Sequence, residues 1–116
     1  MKSSIEFIEG IKESALPIIK LTRSPNKETG TVTFIFFYNQ TNFKNNFFSN
    51  QLKGMFLKWN NEFIFTKNIE ILFDNGKPFL VKSVLLLKDS TEWFRFLNFM
   101  LYYSIETGLF FEESLT

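Results

Sequence analysis

The chain has 116 residues, a formal net charge of +1, 45% hydrophobic residues and 17 phenylalanines. This length and composition predict one domain, residues 1–116, with a packed core rather than a disordered chain. A net charge near zero provides no strong field for attracting nucleic acid or an anionic membrane. The absence of cysteine and histidine excludes disulfides, thiolate catalysis, Ser-His triads and the usual zinc sites.

The residue usage carries information about the coding sequence. Lysine outnumbers arginine 11 to 2, and the chain has 11 asparagines and 10 isoleucines beside its phenylalanines. AT-rich codons specify these residues, so an AT-rich genome, for example an organellar one, is indicated. No apolar run reaches the length of a membrane span and no signal-peptide core is recognisable, so we expect a soluble chain that works where it is translated.

The first half of the chain predicts a series of strands. Residues 5–8 form a short strand ended by Gly10, and residues 16–23 form a second strand with Pro17 near its start. A turn cluster at 24–30 leads into a third strand at 31–38, whose alternation predicts at least one aromatic core face. Residues 39–51 predict a long surface loop that tucks its phenylalanines against the body, with partner binding as the alternative. Strands at 54–59 and 63–67 follow, joined by Asn60-Asn61-Glu62.

Asn75-Gly76 predicts a type I′ turn between strands at 69–73 and 79–87, because both residues tolerate positive φ. A two-residue loop fixes the expected pairs as Asp74 with Lys77, Leu72 with Phe79, Glu70 with Val81, and Ile69 with Lys82. Apolar residues then lie on both faces, which predicts a sheet covered wholly or partly on two sides.

A helix is predicted over residues 90–107, with Asp89 as N-cap, Glu92 as its capping-box partner and Gly108 as the left-handed C-terminal residue. Its packing face is predicted to comprise Trp93, Phe96, Leu97, Met100, Tyr103 and Ser104. Phe94, Leu101 and Ile105 extend the apolar arc; we expect other segments to cover them, with an exposed contact surface as the alternative.

After the helix, residues 109–111 add a short strand or dock on the core, and residues 112–116 are expected to form a frayed acidic tail. The fold class is α+β: an antiparallel β-sheet built from successive hairpins with one long C-terminal helix packed on it.

No set of residues specifies chemistry. The carboxylate pairs Glu9/Glu13 and Glu112/Glu113 are interpreted as solvated surface groups without a raised pKa. Lys20 and Arg23, with Lys27 nearby, form a modest basic patch that ordinary surface charge explains. The aromatic strand at 30–37 has a weak likeness to an RNA-recognition strand, but core packing explains its rings.

Several blocks in order along residues 5–111 resemble one family. They are Ile5-Glu6-Phe7-Ile8-Glu9-Gly10-Ile11, Leu21-Thr22-Arg23-Ser24, Thr29-Gly30-Thr31-Val32-Thr33-Phe34-Ile35-Phe36, Gly54-Met55-Phe56-Leu57, Asn75-Gly76-Lys77-Pro78, Glu92-Trp93-Phe94-Arg95-Phe96, Phe99-Met100, Tyr103 and Gly108-Leu109. The chain thereby resembles the Psb twenty-eight family of photosystem II reaction-centre assembly proteins, also called the thirteen-kilodalton or W protein.

The resemblance implies a non-catalytic, cofactor-free factor peripheral to the stromal side of the plastid thylakoid membrane. Such a factor binds an immature photosystem II complex, contacts the C-terminal tail of the larger core antenna subunit and a stromal loop of a reaction-centre subunit, and modifies the acceptor side. An antiparallel sheet with a free edge can accept such a tail as an added strand. The expected edge is the hairpin at 21–38, with Lys20, Arg23, Thr31 and Thr33 as partner-binding residues.

The sequence departs from the family at Phe94, Leu101 and Ile105, which are usually charged in the resembling proteins. An extra contact, such as a homodimer in solution, is one explanation, and cover by a neighbouring segment is the other. The alternative function is an organellar single-stranded RNA-binding protein, although the resemblance implies no nucleic-acid partner. An enzyme would have only carboxylates and tyrosine hydroxyls to use.

Overall fold

The structure is a computed structural model that describes residues 2–26, 28–46, 52–109 and 112–115. The described residues form nine strands and one α-helix, with short 3-10 turns at Tyr38–Gln40 and Phe43–Asn46. In chain order these are β1 Ser3–Ile8, β2 Ile11–Lys12, β3 Ile18–Arg23, β4 Gly30–Phe37, β5 Met55–Trp59, β6 Glu62–Thr66, β7 Ile69–Asp74, β8 Lys77–Leu87, α1 Ser90–Thr107 and β9 Glu112–Leu115.

The strands form two sheets, where the hairpin pattern alone predicted one. The four-stranded sheet has the order β2-β1-β5-β6, and the five-stranded sheet has the order β7-β8-β4-β3-β9. All pairs are antiparallel except β3 with β9. The predicted α+β class, with antiparallel hairpins and a C-terminal helix, is confirmed.

The core lies where the two sheets meet and α1 closes the space between them. Phe7 of β1 contacts Phe36 of β4 with ring centroids 5.1 Å apart, which joins the sheets directly. From the helix, Phe96 packs on Phe34 of β4 with ring centroids 6.4 Å apart. Phe99 packs on Trp59 of β5 with ring centroids 5.9 Å apart. These edge-to-face pairs combine large apolar burial with favourable ring electrostatics.

The bounds of α1 agree with the sequence prediction because its caps are local. The Asp89 carboxylate accepts a hydrogen bond from the Glu92 backbone N–H at 2.9 Å, and Gly108 adopts φ of 76° while donating to the Ser104 carbonyl at 2.8 Å. The buried face comprises Trp93, Phe96, Phe99, Met100 and Tyr103. Leu97, predicted on this face, is instead 36% exposed.

The opposite side of α1 carries a stripe of exposed apolar side chains. Phe94 is 72% exposed, Leu101 57% and Ile105 74%. The expectation that other segments cover them was wrong, because α1 buries only the side that faces the two sheets. We call Phe94, Leu101 and Ile105 the outer stripe of α1.

The β7–β8 hairpin has the predicted turn but not the predicted register. Asp74 pairs with Lys77, and Asn75 and Gly76 have φ of 52° and 77°. A bulge between Leu72 and Phe73 then shifts the register by one residue, so that Leu72 pairs with Leu80. Glu70 pairs with Lys82 and Ile69 with Ser83, because the bulge inserts one unpaired residue, Phe79, into β8.

Two predictions concern segments outside regular hairpins. The loop at 39–51 was predicted to tuck its phenylalanines against the body. Phe43 does so: it is fully buried, and its ring centroid lies 5.3 Å from that of Phe7. Phe47 and Phe48 lie outside the described residues. The prediction of a frayed acidic tail at 112–116 was wrong, because Glu112–Leu115 forms β9, which pairs in parallel with β3. This long-range pairing has no local signal in the sequence.

Candidate partner-binding surface

One face of the five-stranded sheet points outward, and three of the four predicted partner-binding residues lie on it. The pairing of β3 with β4 places Lys20 beside Thr33, and β8 places Leu86 beside Thr31. Because alternate side chains of a strand share a face, these residues form one cluster. Lys20 and Leu86 are exposed and both threonines are partly buried. We call this surface the outer face; its marker residues are Ile18, Lys20, Thr31, Thr33, Phe37 and Leu86.

Arg23, the fourth predicted residue, points to the opposite face. Its guanidinium carbon lies 4.3 Å from the ring centroid of Trp93, at the start of α1. Its partner across the ladder is Gly30, where an added Cβ would lie 2.5 Å from Trp93 Cζ2 and 2.6 Å from the Thr22 carbonyl oxygen. The structure therefore separates Arg23 from Lys20, Thr31 and Thr33, and places it in a cation–π contact with the helix.

The β3 border, predicted to be free, is covered by the protein itself. β9 pairs with it from Lys20–Glu112 to Arg23–Leu115. Strand β4 lies inside the sheet, between β3 and β8. The 21–38 hairpin therefore presents no unpaired strand while β9 is in place, although its outer face is accessible.

Other borders are open. Within the described part of the chain, β7 ends the five-stranded sheet, and β6 and the two-residue β2 end the four-stranded sheet. Unpaired border strands offer backbone N–H and C=O groups to another chain. The extra residue of the β7–β8 bulge is Phe79 of β8, so β7 itself is continuous. β6 and β7 are therefore both regular open borders, whereas β2 has only two residues.

Glu6 is a buried carboxylate whose charge is well compensated. It accepts hydrogen bonds from Ser4 Oγ and the Gly10 backbone N–H, both at 2.8 Å, and its Oε1 lies 3.0 Å from Lys58 Nζ. Burial pushes the pKa of Glu6 upward, but the bonds from Gly10, Lys58 and Ser4 outweigh burial and lower the pKa below 4.5. Glu6 thus fastens β1 to the loop after it and to β5.

Glu13 behaves in the opposite way, and its interpretation as solvated surface was wrong. It is only 3% exposed and accepts backbone hydrogen bonds from Asn42 at 2.6 Å and Phe43 at 3.0 Å. Burial raises its pKa above 4.5 because those two bonds compensate it incompletely. Burial also raises the pKa of Tyr103 to about 12, with a smaller contribution from the Glu13 charge.

These polar groups stabilise loops rather than converge on a substrate position. Glu13 holds the turn at Phe43–Asn46 against β2, and Glu6 holds Gly10. In the described ranges, no three His, Cys, Asp or Glu side chains gather closely enough to hold a metal ion. The fold and surface define an α+β protein whose buried carboxylates organise its own backbone and whose outer sheet face is accessible.

Comparison with known proteins identifies the family. Residues 5–111 match the family described as Psb28 protein. The chain is 35% identical over 114 residues to the photosystem II reaction center Psb28 protein of Thalassiosira pseudonana, covering 98% of this chain and 100% of that protein. It is 34% identical over 112 residues to the protein of the same name from Pyropia yezoensis, covering 97% of each.

The likeness extends to Trichormus variabilis, whose photosystem II reaction center Psb28 protein is 37% identical over 114 residues, covering 97% of this chain and 99% of the relative. The chain belongs to the Psb28 family. The resemblance inferred from the sequence blocks is therefore confirmed.

Proposed function

We propose that this protein serves photosystem II as a non-catalytic, cofactor-free assembly and repair factor. In this proposal it binds a precursor complex by adding the C-terminal tail of the core antenna to one of its sheets, contacts a reaction-centre stromal loop, and modifies the acceptor side. Family membership supports the link to photosystem II. The observation that carries the binding mode is an antiparallel fold with an accessible outer face and an open β6 border.

The proposed contacts divide by face. Lys20, Thr31 and Thr33 contact the client from the outer face, where a cation and two hydroxyls offer hydrogen bonds to polar groups. Arg23 remains a predicted partner-binding residue on the family match, but its position over Trp93 favours an indirect effect: it holds the end of the β3–β4 hairpin against α1.

The proposed location is the thylakoid, peripheral to the membrane on the stromal side of a plastid. The names of its relatives support the thylakoid, and a residue usage typical of AT-rich codons supports an organellar gene. No helix in the described ranges is long and apolar enough to cross a membrane.

Single-stranded RNA binding receives less support. A base-stacking platform needs exposed rings beside a basic surface. Phe34 and Phe36 of β4 are 0% and 1% exposed and belong to the core, and Phe37 at the end of β4 is 42% exposed but packs against Phe79. The near-neutral charge also provides little attraction for phosphates.

The test is co-purification from solubilised thylakoids. Tagged wild-type protein is expected to migrate with a photosystem II precursor and not with the oxygen-evolving complex, and a peptide of the core antenna tail should compete it off. The Lys20→Glu/Thr33→Glu variant should be retained several-fold less, whereas Lys77→Glu at the β7–β8 turn should match wild type. Stoichiometric presence in the mature complex, or absence from every photosystem fraction, would refute the proposal.

A further inference from the structure

Strands β6 and β8 diverge from a common point and leave a groove between the two sheets. At that point the Val84 backbone N–H donates to the Asn68 carbonyl at 3.0 Å, and Thr66 Oγ1 donates to the Val84 carbonyl at 2.9 Å. Beyond it, β6 turns into the four-stranded sheet while β8 continues beside β4. The space between them has a volume of about 650 Å³, within the range of ligand-binding clefts. We call it the fork groove.

The β6 wall presents unpaired backbone groups to the fork groove. Asn60 and Asn61, with φ of 46° and 64°, form the two-residue turn of the β5–β6 hairpin, and Trp59 pairs with Glu62 across it. In such a hairpin the hydrogen-bonded pairs alternate, so the N–H and C=O groups of Phe63 and Phe65 point away from β5. The Phe63 carbonyl confirms this direction, since it accepts a hydrogen bond from Arg95 Nη2 at 2.7 Å.

The β8 wall faces it with the same arrangement. Val84 directs its N–H and C=O toward Asn68 and Thr66, and backbone direction repeats every two residues along a strand. The N–H and C=O of Leu86 therefore also point into the groove. In the ranges that the structure describes, β7 pairs with β8 only as far as Ser83, so no strand meets Leu86 on this side.

The charged side chains that line the fork groove indicate which kind of peptide segment it would bind. Lys67 and Lys88 line the groove, both are exposed, and neither forms an ion pair with a carboxylate among the described residues. The lining has one carboxylate, Glu92, which keeps its negative charge while it accepts the Lys88 backbone N–H at 2.6 Å. Arg95 is engaged with Phe63. Three cations, Lys67, Lys88 and Arg95, thus face one carboxylate, and this net positive lining favours an acidic segment.

We propose that the fork groove binds one extended acidic segment of a client protein, which enters as a strand between β6 and β8 and joins the two sheets. The inference deepens the proposed function and rests on it for the existence of a protein client. Two walls distinguish this site from the β7 border, which offers backbone hydrogen bonds on one side only. The segment gains main-chain bonds to Phe65 and Leu86 and places acidic side chains near Lys67 and Lys88.

Amide hydrogen exchange measured by NMR tests the groove directly. In the free protein, the amides of Phe65 and Leu86 should exchange at least about tenfold faster than those of Ile64 and Leu85, which face neighbouring strands. Adding a capped eight-residue peptide of alternating valine and glutamate should slow both groove amides and leave Ile71 of β7 unchanged. Protection of Phe65 and Leu86 without peptide, or no change on saturation with it, would overturn the proposal.

Paired variants separate the groove from general edge effects. Phe65→Pro removes an N–H that points away from the β5 ladder, so the fold should tolerate it, and peptide affinity should fall about three- to tenfold, as expected for one backbone hydrogen bond. Ile71→Pro, which removes an outward N–H from β7, is the matched control and should bind normally. Circular dichroism confirms that both variants fold; equal affinities for the two would contradict the assignment.

Charge reversal gives a second comparison. Lys88→Glu should weaken binding of the acidic peptide about fivefold at low salt, and Lys77→Glu, at the other end of β8, should leave it unchanged. An alternating valine–lysine peptide should bind wild type more weakly than the acidic one; equal binding of both peptides would overturn the charge argument.

Co-purification then distinguishes this inference from the proposed function. If wild type and Phe65→Pro migrate equally well with a photosystem II precursor, the proposed binding at the fork groove is overturned. The proposed function would still stand. Wild type absent from every photosystem fraction, with peptide binding and amide protection intact, would refute the proposed function and support the groove as a site for another acidic client.

Discussion

The two sides of α1 have similar composition and opposite surroundings. The inner side, with Phe96 and Phe99, is fully buried, whereas Phe94 and Ile105 on the outer stripe are 72% and 74% exposed. The residue types do not explain this difference. The caps at Asp89 and Gly108 fix where the helix begins and ends, and contact with both sheets decides which side is covered. Apolar character therefore predicts a helix here, but position around its axis predicts burial.

The largest expected effect compares two identical substitutions on these two sides. Phe99→Ala should lower the free energy of unfolding by about 3–5 kcal/mol, because it leaves a cavity beside Trp59 and Tyr103. Phe94→Ala should change it by less than about 0.5 kcal/mol. Urea titration followed by fluorescence measures both. Similar losses for the two variants would break the contrast between the sides.

The next effect tests how closely the inner side approaches β4. Gly30→Ala should destabilise the fold by about 1–3 kcal/mol, since its Cβ would lie 2.5 Å from Trp93 Cζ2. Thr31→Ala, one residue along on the outer face, is the control and should cost less. Thermal unfolding with near-ultraviolet circular dichroism reports both stability and the Trp93 environment. If Gly30→Ala left the free energy of unfolding unchanged, the Trp93 ring would not lie against the backbone of Gly30.

The N-cap fixes where the helix begins, so its loss should fray the first turn, which carries Trp93. Asp89→Ala should cost about 1 kcal/mol, the usual value for a lost side-chain cap. Ser90→Ala, at the first helical position, removes an exposed hydroxyl and should be nearly neutral. Urea unfolding gives the free energies; an Asp89→Ala variant as stable as Ser90→Ala would contradict a role for the cap.

A smaller effect concerns the polar edge of the inner side, where Glu13 influences Tyr103. The raised pKa of Glu13 means that its stabilising contribution is complete below pH 4.5 and is lost as pH rises through the higher folded-state value. The stability of wild type relative to Glu13→Gln should therefore increase as pH falls from 7 toward 4.5.

Glu6→Gln is the matched control with the opposite sign. The lowered pKa of Glu6 gives a contribution that is present above pH 4.5 and is lost as pH falls through its lower folded-state value. Wild type should therefore lose its advantage over Glu6→Gln below pH 4.5. Urea titrations across this range measure both differences, and slopes of the same sign would refute the assignment.

The smallest effect on stability belongs to the outer stripe. Leu101→Lys/Ile105→Lys should change the free energy of unfolding by less than about 0.5 kcal/mol. If the predicted homodimer forms through this stripe, sedimentation equilibrium should detect it for wild type and not for the variant. A wild-type monomer at all concentrations would leave the stripe without a role in self-association.

Local signals predicted the fold where local interactions determine it. Asp89, Glu92 and Gly108 specify the helix bounds within a few residues, and Asn75-Gly76 specifies the turn. The bulge after Leu72 has no comparable signal, so the predicted register of β7 was shifted by one. The parallel pairing of β9 with β3 depends on residues about 90 positions apart, which neither periodicity nor capping can indicate.

The candidate surface was predictable in part. Lys20 and Arg23 differ by three positions, so strand alternation alone separates them onto opposite faces once β3 is assigned. Burial of Glu13 was not predictable, because its partners Asn42 and Phe43 lie in a distant loop. The fork groove depends on two sheets diverging, although Asn60-Asn61 did mark the turn that directs the β6 backbone outward.

That asparagine pair also offers a means of tuning the protein. Asn60 and Asn61 both hold left-handed backbone conformations, which cost an ordinary L-residue energy that glycine does not pay. Because Asn-Gly is a preferred type I′ pair, an Asn61→Gly replacement should stabilise the hairpin at its tip without changing a residue that lines the fork groove. The stability of the β5–β6 hairpin can thus be adjusted while every side chain of the groove lining is kept.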